Sequence, residues 1–261
     1  MSDQNPSLSP DGTAPEPENK PLFVGLMLAE PRLTFVLLGV NVLIFMYFFS
    51  LSADHQLQFF MDWAKINELI KEGEYYRLFT SMFLHLNLPH LLMNAYSLYI
   101  LGRDVESLFG IERFAVIYLL GGLSGSLASF IFTPNPSIGA SGAIFALIGA
   151  ATMYFYQHRR LHGAGGRRYL NQLVMLLVLN LSLGLLPARS GFRLDQAAHI
   201  GGLVGGLILA ALIGPAYQVE PDPTAEGGMH VVDHNPMPQW VLRGVAYAAG
   251  LAVLIVYAAS A

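Results

Sequence analysis

Long runs without a charged residue constrain this chain more than anything else in it. Ala140 to Tyr156 carries none, and neither does Gln196 to Ile213. Such segments suit hydrocarbon better than water. In hydrocarbon the backbone must satisfy its own hydrogen bonds, and a helix does so within one segment. Composition agrees: 54% of the 261 residues are hydrophobic and 12% are charged, where a soluble domain carries about 25% charge. The pattern predicts an all-α, polytopic membrane protein. A net charge of -4 without a basic motif argues against nucleic acid as a partner. The chain has no cysteine, which excludes disulfides, a thiol nucleophile and a Cys-based zinc site.

Seven helices are expected. They run over about Leu33–Phe49, Pro89–Leu101 with extensions at the ends, Phe114–Phe132, Ala140–Tyr156, Tyr169–Leu186, Gln196–Ile213 and Trp240–Ala258. Residues 1–30 are rich in Pro, Ser, Asn, Asp and Glu and read as a disordered tail. They lack the features of a cleaved signal or a transit peptide, so the first helix is expected to act as an uncleaved anchor. Residues 31–213 form a six-helix core, 214–239 a Pro- and acid-rich linker, and 240–261 an added seventh helix. The densest basic cluster is Arg159, Arg160, Arg167 and Arg168, with His158 and His162 beside it. Positive loops stay in the cytoplasm. That places the N-terminus and the 214–239 linker in the cytoplasm, and Ser50–Arg77 outside as an interfacial structure.

Two polar residues interrupt the apolar pattern at matching places. Ser141 lies in Gly139-Ala140-Ser141-Gly142 at the start of the fourth helix, and His199 lies near the start of the sixth. Both fall near the outer side. A hydroxyl and an imidazole so placed suggest a nucleophile and its base. Small residues line both helices: Ala198, Gly202, Gly206 and Ala210 on one, Gly142, Ala146, Gly149 and Ala150 on the other. Small stripes let helices approach closely in lipid, which would bring Ser141 to His199. His90 and Asn94 share a face on the second helix, with Pro89 in its first turn. They could be a structural pair or oxyanion donors. A zinc site from His85, His90 and His199 is a rival, but no carboxylate stands at ligand spacing and Ser141 would go unexplained. His158, His162, His230 and His234 read as solvated residues.

Together these segments make the sequence resemble the rhomboid family of intramembrane serine proteases. The matching parts are Gly139-Ala140-Ser141-Gly142, Ala198-His199-Ile200-Gly201-Gly202, and Phe83-Leu84-His85 through His90-Leu91-Leu92-Met93-Asn94. The match spans about residues 33–213, and the seventh helix resembles a common bacterial form with an added C-terminal helix. The resemblance implies Ser141 as nucleophile and His199 as general base. It implies an oxyanion hole from His90, Asn94 and the backbone N–H of Ser141. Arg77 and Glu106 match polar positions that brace the first loop and the end of the second helix, and His85 is a supporting residue. Phe145 stands where many relatives have a tyrosine stacked on the histidine; its ring face keeps the stack.

The expected function is hydrolysis of peptide bonds in or near transmembrane segments by a Ser-His dyad, with no cofactor and no metal. Asp195 is the one carboxylate near His199; facing solvent it leaves a dyad, and facing the imidazole it would complete a triad. Expected partners are transmembrane protein substrates and the lipid bilayer. Access would be lateral, past the fifth helix and under a loop from Pro187 to Leu194. The expected place is a bacterial inner membrane, with the site opening to the outer face. An inactive rhomboid-like binding or quality-control protein is an alternative, disfavoured because Ser141, His199 and Asn94 are all present. A small transporter is a further one, without the internal repeat or broken helices it would need.

Overall fold

The structure, a computed structural model, describes residues 29–183, 194–221, 223–224 and 229–260. Helices dominate: α1 (Leu33–Ser50), α2 (Ala53–Trp63), α3 (Asn67–Lys71), α4 (Arg77–Thr80), α5 (Leu88–Phe109), α6 (Ile111–Phe132), α7 (Ser141–Gln157), α8 (Arg159–Leu183), α9 (Gln196–Ile213) and α10 (Met237–Ser260). Among them α1, α6, α9 and α10 are long and apolar enough to cross a membrane. The protein is a multi-pass helical membrane protein, and its exposed apolar side chains agree. Leu43 and Met46 on α1, Met175 and Val178 on α8, and Val253 and Leu254 on α10 all point outward. In lipid such a surface carries no penalty.

The centre of the bundle is α7, buried along nearly its whole length, packed against α9 and α6. Glycine makes this packing possible. A Cβ added at Gly202 would fall 2.0 Å from Gly142 O, and one at Gly206 would fall 2.0 Å from Ala146 O. The small stripes of α7 and α9 therefore meet as expected. The glycines of α6 were not foreseen as a third party. Gly125 faces Ala198 O, and Gly121 faces Ala146, so three backbones close around one seam. Close packing of this kind replaces the hydrophobic effect as the force between helices in lipid.

Two buried charges fasten the periphery. Glu106, 0% exposed, accepts hydrogen bonds from the backbone N–H groups of Arg32 (2.8 Å), Leu33 (2.7 Å) and Thr34 (2.7 Å) and from Thr34 Oγ1 (2.7 Å). A carboxylate from the end of α5 thus caps the start of α1, where unpaired N–H groups and the helix dipole both favour an anion. Arg77 pairs with Glu74 at 2.5 Å and donates to Met61 O and Ala64 O. These contacts tie it to the end of α2 and the turn that follows.

The second helix extends past Leu101 to Phe109, within the extension expected at its ends; Arg103, Asp104 and Glu106 lie in its last turns, where polar partners satisfy them. Several other expectations need correction. The basic segment 159–168 is not a loop. It is helical and continuous with α8, apart from a break at Gly163, whose φ of 50° lies in the left-handed region. His158 is not solvated. It is buried, its Nδ1 lies 2.9 Å from Tyr154 O, and its Nε2 accepts from Tyr217 N at 3.1 Å. His162 is half-buried against Tyr154. The 214–239 linker is not a plain tether, because β1 (Tyr217–Pro221) and β2 (Met229–Asp233) pair as an antiparallel hairpin. Asp233 docks it onto the buried Arg113 at 2.7 Å. Alternation over five residues is too short to separate such a hairpin from coil by pattern. The tail 1–30 falls outside the described residues except for Ala29 and Glu30, and the loop Pro187–Leu194 does so except for Leu194.

Candidate active site

Ser141 opens α7 because the chain before it cannot be helical. Gly139 has φ 127°, a conformation that only glycine adopts without strain. A Cβ there would also strike His90 Nε2 at 2.7 Å. Gly139 N donates to Ser81 O at 2.8 Å, and Ser137 exchanges two backbone hydrogen bonds with Lys65, each 3.1 Å. The loop reaching Ser141 is thereby tied down on both sides. His199 stands one turn into α9, whose N-cap is Asp195; its carboxylate accepts from Ala198 N at 3.0 Å.

The seam between α7 and α9 brings the two polar side chains together. His199 Nε2 lies 3.0 Å from Ser141 Oγ. With the serine hydroxyl donating, the imidazole proton resides on Nδ1. Nδ1 is buried and has no hydrogen-bond partner among the described residues. Asp195 does not reach it. That carboxylate is not turned to solvent, as the dyad expectation assumed; it turns toward the end of α6 and accepts from Ser129 Oγ and, at 3.2 Å, from Thr133 Oγ1. No described carboxylate orients the imidazole. Phe145 does so instead: its ring lies 4.1 Å from that of His199 with 6° between the planes.

The expected oxyanion donors lie beside Gly139, two residues before Ser141. His90 lies against Gly139, and Asn94 Nδ2 is near it as well. Asn94 Nδ2 donates to His90 O at 3.0 Å, and the amide retains a second N–H. The N–H groups of the first turn of α7 add donors without intrahelical partners. His85 is buried and meets His90 edge to face at 5.0 Å. Arg77 and Glu106 are outside the constellation and act on loops and helix ends. A cavity of about 20 Å³, lined by Ser126, Ser129, Ser137, Ser141 and Lys65 among others, lies beside the serine. It has room for about one water with polar partners.

The chain matches the Rhomboid domain family over residues 72–216. That is more than half of its length. The chain belongs to the rhomboid family. It is 37% identical over 195 residues to the rhomboid protease GluP of Bacillus subtilis (strain 168), covering 75% of this chain and 35% of GluP. It is 36% identical over 160 residues to RHOMBOID-like protein 2 of Arabidopsis thaliana, covering 60% of this chain and 48% of that protein. RHOMBOID-like protein 9, chloroplastic, of the same plant is 34% identical over 156 residues, covering 60% and 35%. This chain therefore spans between a third and a half of the relatives it matches.

Lys65 and Ser129 escaped sequence reasoning. Lys65 is 1% exposed and interrupts an otherwise apolar trio, Ala64-Lys65-Ile66. A lone lysine in a surface-like loop reads as solvated, so nothing in the local pattern flags it.

Proposed function

We propose that this rhomboid is an active intramembrane serine endopeptidase working through a Ser141–His199 dyad. The observation that carries the reading is the 3.0 Å Oγ–Nε2 contact on a ring held flat by Phe145. Serine is a weak nucleophile until a base takes its proton. As Oγ attacks the scissile carbonyl, His199 Nε2 accepts that proton and later delivers it to the leaving amine. The negative charge passes to the carbonyl oxygen, where Asn94, His90 and the N–H of Ser141 can donate to it. Water then attacks the acyl-enzyme, with His199 again as base, and the cavity beside Ser141 is a place for that water to wait.

The substrate must offer an extended backbone, since a helix hides its carbonyls. We assign the protein to single-span substrates with helix-weakening residues near the outer leaflet and small side chains before the cut. Access past α8 is supported by its packing, for its main partner in the bundle is α7 and Val174, Met175, Val178 and Leu179 are exposed. The basic residues at the start of α8 support a cytoplasmic N-terminus and a site opening outward, and the similarity to the Bacillus subtilis protease favours a bacterial membrane. The test is cleavage of such a substrate co-reconstituted in liposomes. Wild type is expected to cut it and Ser141→Ala to leave it intact. A substrate bound but never cut by wild type would overturn the protease reading in favour of a binding protein.

A further inference from the structure

Lys65 and Asp195 lie outside the dyad, yet both touch the backbone that carries it. Lys65 Nζ donates to Thr133 O (2.8 Å), Asn135 O (2.9 Å), Asn67 Oδ1 (2.9 Å) and, more weakly, Ser129 O (3.4 Å). Three of these acceptors are carbonyls at or just past the end of α6, where a cation is favoured by the helix dipole. The Lys65 backbone exchanges two hydrogen bonds with Ser137, four residues before Ser141. Asp195 closes the other side. It caps α9 through Ala198 N and accepts from Ser129 and Thr133, the residues whose carbonyls Lys65 holds. His199 N in turn donates to Asp195 O at 3.1 Å.

A single partly buried cluster, with Lys65 and Ser129 at its centre, thus joins the approach to Ser141, the end of α6 and the cap of the His199 helix. We infer that Lys65 and Asp195 are paired positioning residues that set the Ser141–His199 distance from outside the α7–α9 seam. Resting on the protease reading, the inference adds a second determinant of that geometry. The glycine seam fixes how close the two helices lie. It does not fix how far each slides along its axis, and the cluster pins both starting points. The opposite charges raise the stakes, because removing Asp195 leaves the buried Lys65 without its main counter-charge, and removing Lys65 does the same to the partly buried Asp195.

The test compares purified full-length wild type, Lys65→Met, Lys65→Arg, Asp195→Asn, Ser129→Ala and the Lys65→Met/Asp195→Asn double variant. It measures kcat and KM for a transmembrane substrate, the rate of inactivation by a fluorophosphonate, and Tm. Lys65→Met and Asp195→Asn are expected to lower kcat and inactivation rate by about 10- to 100-fold, as a shift near 1 Å does, with KM within about twofold. The double variant should be no slower than the slower single one, the signature of one shared network. Lys65→Arg should restore most of the rate. Asn still caps a helix and Ser129→Ala removes one hydroxyl, so these two carry the test if Lys65→Met does not fold. Variants that lose Tm but keep kcat and probe reactivity within about twofold would overturn the inference and show a purely structural cluster. Wild type that neither cuts nor reacts would overturn the protease reading itself.

Discussion

Phe145 holds the His199 imidazole in a site where no described carboxylate does so. The stack fixes the plane of the ring, while the serine hydroxyl fixes its Nε2 edge. Phe145→Tyr keeps the face and is expected to stay near wild-type turnover, whereas Phe145→Leu should lose at least about tenfold; steady-state kinetics of both variants checks this. Asn94→Ala should lower kcat by about 100-fold, the smaller end of the range for a lost oxyanion donor, because His90 and the α7 N-terminus share the load. Normal kcat with a raised KM would make Asn94 a binding residue instead. Burial pushes the Lys65 ammonium down to about 8, against the opposing pull of the Asp195 and Glu68 charges. Its charged form is therefore present below that pH and lost above it. Cleavage should decline as pH rises through about 8, and Lys65→Arg should abolish that decline because guanidinium stays charged. Matching alkaline limbs in the two pH–rate profiles would contradict it. Ser141, His199 and Asn94 were legible because each is costly in an apolar run without a purpose. Lys65 was not, since three of its four acceptors are backbone carbonyls, which every sequence has.

Among elements, the seam of α7 with α9 should be the least tolerant part of the molecule. Gly202→Val places a branched side chain where even a Cβ would sit 2.0 Å from Gly142 O. It is expected to cut the cleavage rate by about 100-fold or more and to lower Tm, with overpacking costing about 1–3 kcal/mol. Ile208→Val, on the exposed face of the same helix, should be nearly neutral. Equal rates and melting temperatures for the two would show that the seam does not set the dyad. The stripes of α7 and α9 were readable from their four-residue spacing. Gly121 and Gly125 of α6 share that four-residue spacing, but periodicity within one helix does not say that they close on α7 and α9 at once. Helix ends were also poorly legible: α5 and α8 run through Arg103, Asp104 and Arg159–Arg168, because charges at a bundle's rim find partners or water there without ending the helix.

At the scale of the whole molecule, the helical core brings a serine and a histidine 58 residues apart in the chain within hydrogen-bond reach, and other described elements secure that core. Glu106 ties α1 to α5, the hairpin docks on Arg113, and Tyr247 of α10 meets Ser124 of α6 at 2.7 Å. The overall plan was legible from hydrophobic runs, since lipid permits so few folds. The hairpin and the polar cluster at the end of α6 were not, because long-range side-chain pairing leaves no periodic trace. Everything proposed for function converges on one hydroxyl activated by one imidazole. The most direct measurement is mass-spectrometric mapping of the fluorophosphonate adduct on the purified, membrane-reconstituted chain. Wild type is expected to carry the adduct on Ser141, and His199→Ala, folded with an unchanged melting profile, to carry almost none. An adduct on another serine, or undiminished labelling of Ser141 without His199, would contradict the dyad.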